Sequence, residues 1–213
     1  MNWEVKSNRL PGITSVSRET IVRLEIYENL LHRWQKIKNL VAPSTLPGLW
    51  TRHFTDSAQL VTLAPQARKW VDLGSGAGFP GLVIAILLAD FQNTEIHLVE
   101  SDHRKCAFLR EVARETGAPA LVHNARVEAV IDDLPIVDIV TARALIGLPS
   151  LLELSSPLLK NGALGLFLKG QDVASELTDA PIFSRVKLEF LPSLTEPSAK
   201  IVKAEWNGNE ALV

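Results

Sequence analysis

The stretch VDLGSGAGFPG, Val71 to Gly81, constrains this chain more than any other. Trp70, Val71 and Leu73 read as the end of a short buried strand. Glycines follow at 74, 76, 78 and 81, and an apolar run, LVIAILLAD, then restarts the chain as a helix. A strand that breaks into a glycine turn and resumes as a helix aims backbone N–H groups and a helix N-terminus into one crevice. A Cβ in that turn would block positive φ angles and the close approach of a ligand. The crevice suits an adenine nucleotide.

The rest of the chain supplies a sheet for that turn. From Lys69 onward, strands are expected over Trp70–Leu73, Glu95–Glu100, Ala120–His123, Asp138–Thr141 and Leu164–Lys169. Helices are expected over Gly81–Asp90, His103–Thr116, Val127–Asp132, Pro149–Lys160 and Val173–Asp179. Short strands with helical crossovers imply parallel pairing in right-handed βαβ units. Ser184–Leu191 and Ala199–Trp206 flank the turn-like PSLTEP with no helix between them, which reads as an antiparallel hairpin added to the sheet. Ahead of the glycine motif, Leu24, Tyr27, Leu30 or Leu31, Trp34, Ile37 and Val41 mark a long amphipathic helix from about Ser17 to Val41, capped by Ser15 or Ser17 and ended by Pro43. APSTLPG is a loop, and a second helix covers Thr51 to Leu63. The expected fold is α/β and Rossmann-like, in one domain: a helical extension over residues 1–66 and a mainly parallel sheet over 67–213, closed by the C-terminal hairpin.

With 213 residues, 46% of them hydrophobic, the chain can bury a substantial core. Its longest apolar run, Leu82 to Ala89, is far short of the roughly 18 residues of a membrane span, and the N-terminus lacks the apolar centre of a signal peptide. Cys106 is the only cysteine, so no internal disulfide forms, which suits the cytoplasm. The net charge of −2 argues against a general nucleic-acid coat. Its distribution is uneven: residues 1–56 hold eight Lys and Arg against five Asp and Glu, a net of +3, which leaves −5 for the remainder. That asymmetry fits either a basic face or a solvated helix surface.

Two ligands compete for the crevice. Gly76, Gly78 and Gly81 satisfy G-x-G-x-x-G, and Glu100, at the end of the next strand, is placed to hold a ribose hydroxyl pair, as in a nicotinamide dinucleotide site. Three features favour S-adenosylmethionine. Asp72 precedes the first glycine by two residues, where its carboxylate could meet a ligand ammonium directly or through water. The turn carries an extra Gly74, and Pro80 removes an N–H that could hold a pyrophosphate. The terminal hairpin matches the methyltransferase variant of the sheet. A glycine turn with no ligand is the third possibility.

In R-H-x-x-D-S at Arg52–Ser57, D-L-G-S-G-A-G-F-P-G at 72–81, Glu100, A-R-V-E at 125–128, A-R-A at 142–144 and L-K-G at 168–170, the chain resembles the small-subunit ribosomal RNA guanine-N7 methyltransferases, the glucose-inhibited division protein B or RsmG family. The motifs fall in order along roughly residues 20–205. The resemblance implies a class I S-adenosylmethionine-dependent methyltransferase, with the donor held by Gly74 and Phe79, by Val127 and Glu128, and near Arg143. It also implies a guanine of 16S ribosomal RNA, in the decoding-region 530 loop, as substrate, within the 30S subunit or an assembly intermediate. Glu100 can accept both ribose hydroxyls. An N–H near Val127 and the Glu128 carboxylate can read the adenine edge, although Glu128 also suits a helix N-terminus as a dipole partner.

Catalytic groups of an open α/β sheet lie beyond the carboxyl ends of its strands, which places Arg143 of TARAL and Lys169 of LKG near the crevice. No Asn- or Asp-Pro-Pro-aromatic motif of the exocyclic-amine methyltransferases is present. Cys106 lies in an expected helix, as a small apolar residue rather than a nucleophile for pyrimidine C5. Guanine N7 carries a lone pair and no proton, so its methylation needs orientation and electrostatics but no general base. Arg143 and Lys169 are therefore expected to position the substrate, or else to form salt bridges to Glu153 or Asp172.

Arg52 and His53 are expected to face RNA phosphate from a helix flanking the donor pocket, the alternative being an Arg52–Asp56 surface pair at i, i+4. The basic N-terminal segment with Trp3, Trp34 and Trp50 is the candidate RNA surface, although tryptophans on a helical stripe are more often core. The histidines show no metal-ligand spacing, so no metal is expected, and the protein is expected to act as a monomer in the cytoplasm.

Overall fold

The computed structural model of the protein describes residues 9–13, 16–177 and 180–208. Helix α1 (Arg18–Gln35) begins where Ser17 accepts the Thr20 N–H at 3.1 Å. It stops at Gln35 rather than Val41 because the Gln35 side chain turns back on the chain. Its Oε1 accepts the Leu40 and Val41 N–H groups, and its Nε2 donates to the Val41 carbonyl. Leu24, Tyr27, Leu30 and Leu31 are buried as the stripe requires, whereas Ile37, beyond the helix, is 70% exposed. After a 3₁₀ segment, Pro43–Gly48, the expected second helix starts as a π-helical turn, Trp50–Thr55, and only then becomes α2 (Asp56–Leu63). Such wide turns recur at functional sites, and this one carries Arg52 and His53.

The core follows as β1 (Lys69–Leu73), α3 (Gly81–Leu87), β2 (Glu95–Glu100), α4 (His103–Thr116), β3 (Ala120–Asn124), β4 (Ile139–Arg143), α5 (Leu148–Lys160), β5 (Leu164–Lys169), β6 (Val186–Pro192) and β7 (Lys200–Trp206). The strands form one seven-stranded sheet in the order β3-β2-β1-β4-β5-β7-β6. β1 to β5 are parallel, and β7 runs antiparallel to both β5 and β6, so the terminal hairpin inserts its second strand next to β5. Two expected helices are absent. Val127–Asp132 forms a pair of 3₁₀ turns, Val127–Ala129 and Ile131–Asp133, because VEAVIDDLP offers only Val127 and Ile131 for burial and meets two aspartates and Pro135. Val173–Asp179 contains the 3₁₀ turn Gln171–Glu176, and its last two residues lie outside the described residues.

Strand alternation splits the core between the two faces of the sheet. Trp70, Ile96, Leu98, Leu166 and Ile201 face α1, α3 and α4 on one side, while Val71, Leu73, Val140, Phe167 and Val202 face α5 on the other. Ion pairs dock α1 on that first layer. The Arg23 guanidinium donates to both oxygens of Asp90, at 2.9 and 2.8 Å, Lys38 reaches Asp102 at 2.7 Å, and Arg33 pairs with Glu111. Arg9 lies 3.4 Å from Glu25 and 3.6 Å from Glu28. Four of the eight basic residues of segment 1–56 are thus held in ion pairs, so much of its positive charge serves packing. Trp34 donates its indole N–H to Glu111 and packs on Phe108, and Trp50 packs edge-on against Phe54 beneath Arg9. Both are partly buried against the core, and Trp3 lies outside the described residues.

Candidate functional site

Beyond the carboxyl ends of β1, β2 and β4, where the strand order reverses, lies a cleft of about 670 Å³. The glycine turn forms its floor through Gly74, Gly76 and Phe79. Glu100, the 125–128 segment and Arg143–Ile146 form its walls, and Leu40–Ala42, Thr45 and His53 close it from the N-terminal side.

The turn is built from both ends. Gly76 takes a positive φ of 56°, and its N–H donates to Glu100 Oε2 at 2.9 Å. Glu100 Oε1 accepts the Asp102 N–H at 2.8 Å. Each carboxylate oxygen therefore keeps acceptor capacity for a further hydroxyl. At Gly81, by contrast, the need is close approach: a Cβ would stand 2.3 Å from Leu98 Cδ2 and 2.8 Å from Asp72 Cβ. Tyr27 reaches across from α1 and donates its hydroxyl to the Ala77 carbonyl, stacking on Phe79 with ring centroids 5.4 Å apart.

Asp72 is buried beneath the turn, off the cleft wall. Its Oδ2 accepts the Gly81 N–H at 3.1 Å and its Oδ1 accepts the Thr141 hydroxyl at 3.1 Å. Burial pushes its carboxyl up to about 7 against the pull of these bonds. The direct contact with a ligand ammonium expected from sequence is closed by this placement, and what Asp72 does here is join the first strand to the helix after the turn.

His53 also departs from expectation. It is buried rather than turned to solvent, its Nε2 sits 2.9 Å from Thr45 Oγ1, and its ring lies over Phe79 at 4.7 Å. Burial, then the charges of Arg143 and Arg52, lower it to about 3, so it is a neutral ring in the cleft wall and offers no cation to a phosphate. Arg52 is exposed, and among the described residues no ion pair forms between it and Asp56.

Arg52 instead lines a second cleft of about 590 Å³, with Asp56, Lys169 and Lys200. Arg143 and Ala144 belong to both clefts, so the guanidinium stands at their junction. Its ion pair is with Asp56, Nη1 to Oδ2 at 3.4 Å, rather than with Glu153 or Asp172. Lys169 Nζ donates to the Ile146 carbonyl at 3.1 Å and pairs with Glu176 Oε2 at 2.7 Å. Lys169 therefore braces the segment after β4. Val127 and Glu128 stand on the first cleft, Glu128 exposed, at a 3₁₀ turn whose first N–H groups have no acceptor within the turn. Cys106 is buried with its thiol on the Glu100 carbonyl, 3.1 Å away, a packing residue as its helix position implies. Among the described residues no group of three or more His, Cys, Asp or Glu could hold a metal ion.

Sequence reasoning missed the contribution of Thr45 and Leu40–Ala42, which sit in a loop without a motif, and that of Tyr27, which reads as one more apolar position of the α1 stripe. The signal for Tyr27 was its hydroxyl: a buried phenol needs an acceptor, and the glycine turn provides one.

Comparison with known proteins agrees with this geometry. Among solved structures, a putative O-methyltransferase from Klebsiella pneumoniae superposes with a TM-score of 0.58 at 14% identity, covering 95% of this chain and 96% of that one. Magnesium protoporphyrin IX methyltransferase from Synechocystis PCC 6803, solved with bound S-adenosylmethionine, gives 0.56 at 12% identity over 90% and 98%. At these identities the likeness is one of fold, the class I methyltransferase sheet. In sequence, the ribosomal RNA small subunit methyltransferase G of Parvibaculum lavamentivorans is 52% identical over 200 residues, 93% of this chain and 88% of the relative. That of Methylorubrum populi is 53% identical over 189 residues, 89% and 90%. The GidB family model, described as rRNA small subunit methyltransferase G, matches residues 20–202. With the glycine turn, its acid and the two joined clefts in place, the chain belongs to the rRNA small subunit methyltransferase G family.

Proposed function

We propose that this chain transfers a methyl group from S-adenosylmethionine to N7 of a guanine in the 530 loop of 16S ribosomal RNA, acting as a monomer in the cytoplasm on the 30S subunit or an assembly intermediate. As a family member it is a methyltransferase that uses S-adenosylmethionine and acts on ribosomal RNA. The observation that carries the finer reading is the pair of adjoining clefts with Arg143 at their junction and no Asn- or Asp-Pro-Pro-aromatic motif after β4.

The residues of the first cleft fit the donor. Gly76 leaves backbone close to the ligand, Glu100 retains acceptor capacity for ribose hydroxyls, and the turn at Val127 with Glu128 offers donors and an acceptor to an adenine edge. Gly74, Gly78 and Phe79 shape the turn, and Asp72 and Tyr27 fix it from below and from the side. When bound, the donor supplies an electrophilic methyl on a sulfonium. The protein's own task is to present a nucleophile in line with it. N7 has no proton to remove, so no side chain acts as a base. Arg143 donates to guanine O6 beside N7, and its charge keeps the base rather than a water oriented at the junction. Lys169 holds the Ile146 carbonyl and with it the loop between the clefts. Arg52 and Lys200 contact phosphate at the rim of the second cleft, whose lining also carries Asp172, Glu176 and Glu196.

Incubation of the protein with methyl-labelled donor and, separately, 30S particles, free 16S RNA and total protein tests this reading. Label in 16S RNA, free or within the particle, is expected. Label in protein, or none in any RNA, overturns it.

A further inference from the structure

Asp56 divides its carboxylate between two tasks. Oδ1 is committed to scaffold: it accepts Gln59 Nε2 at 2.9 Å, the Thr195 hydroxyl at 2.8 Å and the Ser193 hydroxyl at 3.4 Å. Gln59 Oε1 in turn accepts the Leu194 N–H at 2.8 Å. The turn between β6 and β7 is thereby fastened to the start of α2. Oδ2 faces one partner, Arg143 Nη1, at 3.4 Å. The contact is an ion pair without a hydrogen bond, and Nη1 is a buried donor with no acceptor.

An unsatisfied buried guanidinium donor is costly, and burial already lowers the Arg143 pKa while the Asp56 charge opposes that shift. The arrangement fixes the Arg143 guanidinium without consuming its N–H groups. From this we infer that Asp56 is a positioning residue for methyl transfer: it holds the buried Nη1 side of the Arg143 guanidinium at the junction of the clefts by charge, leaving the accessible part of that side chain, which is 23% exposed, to donate to the carbonyl oxygen of the bound base. Asp56 lines the second cleft and not the donor cleft, and it reaches the donor side only through Arg143. The inference rests on the reading of guanine as substrate.

Asp56→Asn keeps an oxygen for Gln59 and Thr195 and removes the charge. Wild-type protein is assayed first on 30S particles and 16S RNA; no N7 methylation there overturns the function reading and this inference with it. With wild-type activity present, Asp56→Asn is expected to bind S-adenosylhomocysteine within about twofold of wild type while kcat falls between about 10- and 100-fold. Arg143→Gln is expected to lose kcat at least as much, and adding Asp56→Asn to it changes kcat little further, because the two act as one unit. Thr195→Val, which loosens Oδ1 but keeps the charge, serves as the second variant and is expected to lower kcat less, with donor affinity unchanged. An Asp56→Asn protein at wild-type kcat, or losses that multiply in the double variant, overturns the inference alone. If Asp56→Asn fails to bind S-adenosylhomocysteine, Thr195→Val decides: a kcat at the wild-type value overturns the inference, and a loss with donor affinity intact supports it.

Discussion

The Gly76 N–H donates to Glu100 Oε2 at 2.9 Å, so the glycine turn of the first strand and the acid of the second are one hydrogen-bonded unit. Glu100 thus shapes the floor of the first cleft through the protein's own hydrogen bonds. Glu100→Gln retains one acceptor but loses the charge shared between the Gly76 N–H and the Asp102 N–H and, on the proposed function, offered to a ribose. A charged hydrogen bond lost at such a site corresponds to roughly 10- to 100-fold in affinity. Calorimetry with S-adenosylhomocysteine should show that loss, and wild-type affinity in the variant would contradict the role.

Asp72 gives a pH signature. Its carboxyl titrates near 7 in the folded protein against 3.8 ordinarily, so between those values the unfolded chain releases a proton that the folded one keeps. Stability from this group therefore falls as pH rises from about 4 to 7 and is flat above, by up to about 4 kcal/mol. Asp72→Asn can still accept the Gly81 N–H and donate to the Thr141 hydroxyl. Its stability relative to wild type is expected to increase across that window in urea titrations at several pH values; a constant difference would show that Asp72 ionises normally.

His53 carries the opposite slope. Its folded value, about 3, lies below the usual 6.5, so the folded state loses stability as pH falls from 6.5 downward, where the unfolded chain takes up a proton first. His53→Gln should remove that acid-side loss, and unfolding curves between pH 4 and 7 measure it.

Arg52 and His53 are adjacent in sequence but differ in environment, Arg52 exposed and His53 buried. Arg52→Ala is expected to weaken binding to 16S RNA and to lower the slope of log affinity against log salt by about 1. His53→Gln is expected to leave the slope unchanged, because the buried ring carries no charge. Equal slopes for wild type and Arg52→Ala would remove Arg52 from the phosphate contacts.

Gly81→Ala tests the packing beneath the turn. A Cβ there meets Leu98 Cδ2 at 2.3 Å and the Asp72 Cβ at 2.8 Å. The overpacking should cost about 1–3 kcal/mol, or about 2–4 °C of melting temperature for each kcal/mol in a chain of this size. An unchanged melting temperature would contradict it.

The alternation of short apolar strands with helices, the glycine turn and the helix-free C-terminal pair made the sheet legible, including the antiparallel hairpin. Those signals are local, and periodicity reports them. The failures lie where long-range contacts decide. VEAVIDDLP has helical composition at its start but too little to bury, and RHFTDS follows a π turn, so i, i+4 spacing no longer pairs Arg52 with Asp56. Arg143 found that carboxylate instead, from the far end of β4, and no spacing rule connects the two. The positive charge of segment 1–56 was visible in the sequence, but not that Asp90, Asp102 and Glu111 take up much of it.

The most direct measurement is the identity of the methylated atom. After reaction of the wild-type protein with 30S particles or 16S RNA from cells lacking this activity, the RNA is digested to nucleosides and resolved by mass spectrometry. The account predicts one new 7-methylguanosine per 16S RNA, in the 530 loop, formed at least about 10-fold more slowly with Arg143→Gln. A methyl group on an exocyclic amine, a pyrimidine carbon or a ribose would contradict it.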